Sequence, residues 1–143
     1  MLLCLMAWMQ IFLMVIDFSI DEFLGGKLKI KQPKKGYRAG IDPVLLAASV
    51  NASKGDNILE LGCGVGVASL CLAKRVAGLN IYGVEIQSDY AALAIENSQL
   101  NSMDLNVVSA DIGKLPDSVK QMQFDHVMAN PPYFERLAST MSF

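Results

Sequence analysis

The feature that most constrains this chain is a change of rhythm around residue 62. Residues 57–61 (Asn-Ile-Leu-Glu-Leu) form a short apolar run. Gly62-Cys63-Gly64-Val65-Gly66 follows at once, and residues 67–77 then carry apolar side chains at helical spacing (Val67, Leu70, Cys71). A strand that runs through a glycine turn into a helix is the opening unit of a parallel α/β sheet. The unit recurs. Residues 80–84 read as a second strand, 89–100 as a helix capped by Ser88, 105–108 as a third strand and 124–129 as a fourth. Strands alternating with helices predict an α/β fold, a doubly wound parallel sheet with ligands at the carboxyl ends of its strands. Residues between 111 and 124, with Gly113 and Pro116, read as a loop with room for one helical turn.

The 143 residues suit one domain. A chain that is 52% hydrophobic and 18% charged is not a disordered tail, a collagen-like repeat or a charged coiled coil. The three cysteines (Cys4, Cys63, Cys71) are odd in number and lack a C-x-x-C pair, and there is one histidine. That excludes a disulfide scaffold, points to no metal site and fits a reducing cytoplasm.

The formal net charge of −2 conceals three unlike segments. Residues 1–16 are apolar except for Gln10 and carry no charge. A membrane span needs roughly 20 such residues, and a signal peptide needs a basic start and a small-residue cleavage site. The run is therefore read as an anchor, as a buried helix, or as an extension ahead of a start at Met14; the third reading fits best, and no membrane span is expected. Residues 17–38 hold six bases against three acids, a local charge of +3, while residues 39–143 hold six bases and eleven acids, or −5. A basic segment thus precedes an acidic core. Its cations (Lys27, Lys29, Lys31, Lys34, Lys35, Arg38) suit phosphates, and they equally suit the guarded edge of a sheet.

Within that segment, Lys27-Leu28-Lys29-Ile30-Lys31 alternates as a half-buried strand does, and residues 33–36 form a turn. Asp42-Pro43 then opens a helix, with Asp42 as N-cap and Pro43 in the first helical position.

Four features carry chemistry. The glycine turn lets a ligand approach the backbone, and the helix start behind it offers free N–H groups. The dinucleotide pattern G-x-G-x-x-G/A fails in both frames, with Val67 or Ser69 in the sixth position, which sets a nicotinamide dehydrogenase aside. Glu60, two residues before the first glycine, would repel a pyrophosphate and suit an ammonium or a sulfonium. Glu85, ending the second strand, can accept from ribose hydroxyls. Asp111, just past the third strand, can accept from an adenine amino group. Finally, Asn130-Pro131-Pro132-Tyr133 follows the fourth strand. The Asn130 side-chain oxygen and the Pro131 carbonyl become two fixed acceptors for a planar amine, and Tyr133 can stack on its ring. His126 lies inside a strand and reads as structural; Cys63 has no base beside it and reads as a small side chain.

These motifs resemble the S-adenosylmethionine-dependent methyltransferases that modify planar amino groups. Residues 23–28 (Phe-Leu-Gly-Gly-Lys-Leu) and 32–42 (Gln-Pro-Lys-Lys-Gly-Tyr-Arg-Ala-Gly-Ile-Asp) are similar to the bacterial tRNA1(Val) (adenine-N6)-methyltransferases, and the likeness runs over residues 17–134. It implies a Rossmann-like class I methyltransferase fold, S-adenosyl-L-methionine as cofactor, tRNA as partner and a cytoplasmic enzyme. It implies that Glu60, Gly62 and Gly64 hold the amino-acid end of the cofactor, Glu85 its ribose and Asp111 its adenine. Cys63, Gly66, Ile86 and Ile112 complete that surface, and the stretch with Arg38, Gly40 and Asp42 closes over it. Asn130, Pro131 and Pro132 would hold the amine, Tyr133 the base, and the six cations the tRNA phosphates. Protein glutamine methyltransferases share the Asn-Pro-Pro-Tyr motif and are the alternative; a cofactor-binding fragment without turnover is another.

Family members continue for several strands beyond this motif, whereas this chain ends ten residues after Tyr133. The expectation is a truncated or frame-shifted product. It would have three parts: a foreign extension (1–16), a basic segment (17–38) and an incomplete cofactor-binding core (39–143). Its fourth strand would be an unpaired edge.

Overall fold

The computed structural model describes residues 17–131; the apolar extension and the expected contributions of Pro132 and Tyr133 lie outside the described residues. The architecture is the expected α/β one. Strands β3 (Asn57–Leu61), β4 (Asn80–Glu85), β5 (Asn106–Ser109) and β6 (His126–Ala129) form a parallel sheet in the order β5-β4-β3-β6. From β3 the chain steps outward through α2 (Val67–Arg75) to β4 and through α3 (Ser88–Leu100) to β5. It then returns through α4 (Asp117–Lys120) to lay β6 on the other flank of β3. The reversal puts a crevice between the carboxyl ends of β3 and β6, where open α/β sheets bind ligands.

The strand pleat sorts side chains to two faces. Ile58, Ile81 and Met128 join Leu70, Leu72 and Leu93 in the larger core, under α2 and α3. Leu59 and Val84 face the other way, toward Val119 of α4, Leu115 and Phe124. That second layer is thin, and Val127 on β6 stays 60% exposed.

The basic segment is a two-stranded hairpin. An unexpected strand, β1 (Phe18–Phe23), pairs antiparallel with β2 (Leu28–Pro33), in a register that sets Phe18 opposite Pro33 and Asp21 opposite Ile30. Its turn holds Leu24, Gly25 and Gly26 at φ 52, 64 and 84°, a left-handed run that glycine makes accessible. Leu28 and Ile30 are fully buried in the larger core, each worth about 2 kcal/mol of burial. Among the described residues the free edge of β2 meets no further strand. It meets two asparagines four residues apart, Asn97 on α3 and Asn101 capping its end. Asn97 accepts from Lys31 N (2.7 Å) and donates to Lys31 O (3.0 Å), and Asn101 does the same for Lys29 N (2.9 Å) and O (2.8 Å).

Three local expectations need correction. Helix α1 (Asp42–Ser49) is capped by Ile41, whose carbonyl accepts from both Val44 N and Leu45 N, so Asp42 is the first helical residue and not the N-cap. Ser88 likewise begins α3, after Gln87. Helix α2 ends at Arg75, because Val76 turns extended (φ −125°, ψ 108°).

Candidate functional site

Strand register levels the functional loops. Leu61 pairs with Val84 on one side and Ala129 on the other, so Gly62, Glu85 and Asn130 stand in one row at the top of three adjacent strands. At ordinary strand spacing, Glu85 and Asn130 flank Gly62 about 10 Å apart.

The glycine turn is left-handed three times, at Gly62 (φ 71°), Gly64 (φ 55°) and Gly66 (φ 87°). A Cβ on Gly62 or Gly64 would meet nothing within 4 Å, so both present bare backbone to open space. Gly66 is different: a Cβ there would stand 3.1 Å from Leu105 Cδ2, so this glycine serves packing under the turn. Cys63 is also a packing residue. Its Sγ fills the space above Gly83, where a Cβ would come within 2.7 Å of it. Burial, followed by the nearby charges of Glu60 and Glu85, pushes its thiol far above the ordinary range.

Both acids at the strand tips already hold backbone. Glu85 Oε2 accepts from Gly64 N (2.9 Å) and Oε1 from Gln87 N (2.8 Å), which fixes the carboxylate while each oxygen keeps a further lone pair. Glu60 is buried and accepts from Ser69 N (3.0 Å) and from Ser69 Oγ. It therefore caps α2 from the neighbouring strand, a task that Gly66 cannot perform. Burial pushes its carboxyl up to about 7; the two Ser69 hydrogen bonds oppose the rise, and the charge of Glu85 adds to it.

Two adjoining chambers open on this row. The inner one is lined by Glu60, Gly62, Cys63, Gly64, Val65 and Asn130, by Tyr37 and Ala39 from the strap joining β2 to α1, and by Pro43 in the first turn of α1. The outer one, about 230 Å³, is lined by Glu85, Ile86, Gln87 and Tyr90, and again by Tyr37, Gly62, Gly64 and Asn130. The structure thus brings Glu60, Gly62, Cys63, Gly64, Glu85, Ile86 and Asn130 together. Asp111 and Ile112 do not line either chamber. Asp111 Oδ1 accepts from Gly113 N (2.8 Å), capping a short 3-10 turn, while Ile112 is 57% exposed beside it.

Several residues expected at the site point elsewhere. Arg38 Nη2 donates to Asp21 Oδ2 (2.5 Å) and Nη1 to Pro33 O (3.4 Å), which turns the guanidinium toward the hairpin. Gly40 and Asp42 are exposed and line neither chamber. Pro131 is exposed directly after Asn130. His126 sits at the amino end of β6, 3.3 Å from Asp56, with the length of the strand between it and Asn130.

The cations are also spread out. Lys31 pairs with Glu96 (2.9 Å) and covers the Phe18 ring, and Lys34 pairs with Asp17 (2.9 Å). Lys35 lies beside Asp89 and Tyr90 at the start of α3, near the chambers. Lys29 lies beside Asn101 at the other end of that helix, about 18 Å away by helical rise. Lys27 lines neither chamber but a separate cavity with Cys71, Lys74 and Arg75. Among the described residues no group of three or more His, Cys, Asp or Glu side chains could hold a metal ion, and no helix is long and apolar enough to cross a membrane.

Sequence reasoning missed Tyr37, Pro43, Gln87, Tyr90 and the capping role of Ser69; of the stretch 38–42 expected to close over the site, Ala39 lines the inner chamber. One signal was available for the tyrosines. Gly36 is left-handed (φ 94°), and a Cβ there would stand 3.0 Å from Tyr90 Oη, so this glycine marks a close approach of strap and helix.

The chain is 36% identical over 109 residues to a tRNA1(Val) (adenine(37)-N6)-methyltransferase of a Flavobacteriaceae bacterium, covering 76% of this chain and 47% of that protein. It is 30% identical over 121 residues to a putative protein N5-glutamine methyltransferase of Methanocaldococcus jannaschii, covering 81% and 59%. It spans about half the length of the curated tRNA methyltransferases it matches. In three dimensions it resembles a T. thermophilus 16S rRNA N2 methyltransferase solved with AdoMet and guanosine (TM-score 0.64, 20% identity, 82% of this chain and 33% of that one). The shared fold is the Rossmann-like class I methyltransferase fold. The methyltransferase small domain family matches residues 39–143, the whole of the parallel sheet and its glycine turn, and the chain belongs to that family.

Proposed function

We propose that the chain forms the cofactor-binding half of an S-adenosylmethionine-dependent N-methyltransferase, and that its amine acceptor is N6 of an adenine in tRNA. The observation that carries the reading is the row at the strand tips. Asn130 lines both chambers together with Gly62 and Gly64, so an amine held at Asn130 stands over whatever occupies the glycine turn.

The residues fit the cofactor. The bare faces of Gly62 and Gly64 leave room for its methionine end, and Glu60, the buried acid in the inner chamber, balances an ammonium there. Glu85, braced by two backbone N–H groups, keeps lone pairs for ribose hydroxyls. Exposed Ile86 (65%), in the outer chamber, offers an aliphatic face for a purine. S-adenosylmethionine supplies a methyl group on a sulfonium, which needs alignment more than a strong base. The protein's task is then geometric. Asn130 Oδ1 and the Pro131 carbonyl accept hydrogen bonds from the two amine N–H groups and turn the nitrogen lone pair toward the glycine turn. After transfer the surplus proton leaves the amine to water at the open mouth.

The tRNA assignment is supported by Lys35, which lies beside Asp89 and Tyr90 near the chambers, and by the named relatives. The decisive assay is transfer of tritiated methyl from S-adenosylmethionine to unmodified tRNA by the 143-residue chain, with N6-methyladenosine as product. Labelling of a release-factor-like protein in its place, unaffected by Lys34→Ala with Lys35→Ala, would establish the glutamine reading, for which the M. jannaschii relative speaks. Calorimetric binding of S-adenosylmethionine, abolished by Glu85→Ala, with no transfer to either substrate would mark a binding module without turnover.

A further inference from the structure

We propose that Tyr37 is a positioning residue for Asn130, and so a determinant of how the target amine is held; this rests on the methyl-transfer reading above. Asn130 follows β6, which among the described residues pairs on one side only, with β3. Its side chain stands above an edge and needs lateral support to act as a fixed acceptor. Tyr37 supplies it from 93 positions away: Asn130 Nδ2 donates to the Tyr37 hydroxyl at 3.4 Å. With the amide nitrogen turned to Tyr37, Oδ1 is left to face an incoming amine. The reverse orientation would present N–H groups to N–H groups and bind no amine.

The strap that carries Tyr37 is itself held. Ala39 N donates to Gln32 Oε1 (2.8 Å), and Gln32 is buried and bonded in turn to Asp21 (2.7 Å). Arg38 grips Asp21 and Pro33, and Lys34 N donates to Asp17 O (2.7 Å). On the far side the Tyr90 hydroxyl donates to the Tyr37 carbonyl (3.3 Å). The backbone of Tyr37 is thus pinned from the hairpin and from α3, while its side chain stays 53% exposed and lines both chambers. A half-exposed ring on a pinned backbone contributes little to the core, and it is well placed to act on the site.

The test is steady-state methyl transfer to unmodified tRNA by the full chain and by Tyr37→Phe, which removes the hydroxyl and keeps the ring. The expected result is a kcat lowered about five- to tenfold, the scale of one lost hydrogen bond. KM for tRNA, the Kd for S-adenosylmethionine and the melting temperature stay at wild-type values. In an Asn130→Ala background the same change has no further effect on kcat, because the hydroxyl acts through that amide. Unchanged kcat in Tyr37→Phe overturns the inference and leaves the methyltransferase reading standing. A loss shared among kcat, cofactor Kd and melting temperature also overturns it, since that is the mark of a strap that has merely loosened. No transfer by the wild-type chain to tRNA or protein defeats the reading, and the role of Tyr37 falls with it.

Discussion

Glu60 should set the pH dependence of stability. Its carboxyl rises from 4.5 to about 7, first because burial disfavours its charge. The folded chain therefore binds this proton more tightly than the unfolded chain does. The associated stability is fully present below 4.5 and is lost as pH rises through about 7. Over the full range the shift is worth about 3 kcal/mol, and between pH 5.5 and 8 about 2 kcal/mol. Glu60→Gln keeps the shape and can still accept from Ser69 N while losing the titration. Urea melts of both proteins at several pH values, each extrapolated to water, isolate Glu60, because every other side chain is common to both. The stability of wild type minus that of Glu60→Gln should fall by about 2 kcal/mol from pH 5.5 to pH 8. Parallel profiles would refute the argument: they would mean that Glu60 is solvated, or that the two Ser69 hydrogen bonds cancel the cost of burial.

Asn97→Ala should cost about 3 kcal/mol in urea melts, since it strands Lys31 N, Lys31 O and Val65 O beside a fully buried site; Asn101→Ala, more exposed, should cost about 1. Gly83→Ala should lower stability by about 2 kcal/mol by driving a Cβ into Cys63, and Cys63→Gly should restore most of the loss, an interaction that a double-mutant cycle reads directly. Cys63 and Cys71 should resist iodoacetamide at pH 8 in the native chain and react on unfolding, as peptide mapping by mass spectrometry would record. Burial pushes the Cys71 thiol to about 11 and that of Cys63 higher still.

The parallel sheet was legible because its signals are local. A strand, a glycine turn and a helix follow one another within twenty residues, and each obeys its own period. The first hairpin strand was not legible, because its pattern is inverted. Ile20 points to solvent at 61% exposure while Ser19 and Asp21 point inward, and Asp21 is tolerated there only because Gln32 and Arg38 bond it. No alternation of apolar residues marks such a strand. The basic segment misled for a related reason. Its charge was correctly counted, but the acids that neutralise Lys31 and Lys34 lie 65 and 17 positions away, and the strand direction carries Lys27 and Lys29 away from the site. At the site itself, the positions of Gly62, Glu85 and Asn130 at the ends of adjacent strands were legible because each follows its strand directly, whereas Asp111, read in the same way, lines neither chamber. Residues brought in by the strap and by α3, Tyr37 and Tyr90 above all, depend on tertiary packing and leave only the left-handed Gly36 as a trace.

The asparagine pair on α3 explains why strap and glycine turn behave as one unit. Four residues along a helix advance about 6 Å, and two along a strand advance about 6.6 Å, so side-chain amides at positions 97 and 101 can serve successive outward-facing peptide groups of β2 as a neighbouring strand would. Asn97 does more: the nitrogen that donates to Lys31 O also donates to Val65 O (3.0 Å) inside the glycine turn. One fully buried amide therefore ties the hairpin edge to the backbone on which the cofactor would rest. The hairpin leads through residues 34–36 to Tyr37, and Tyr37 reaches Asn130. The two sides of the crevice between β3 and β6 are thus held in mutual register by a strand edge that ends on a helix, although among the described residues β6 itself pairs on one side alone.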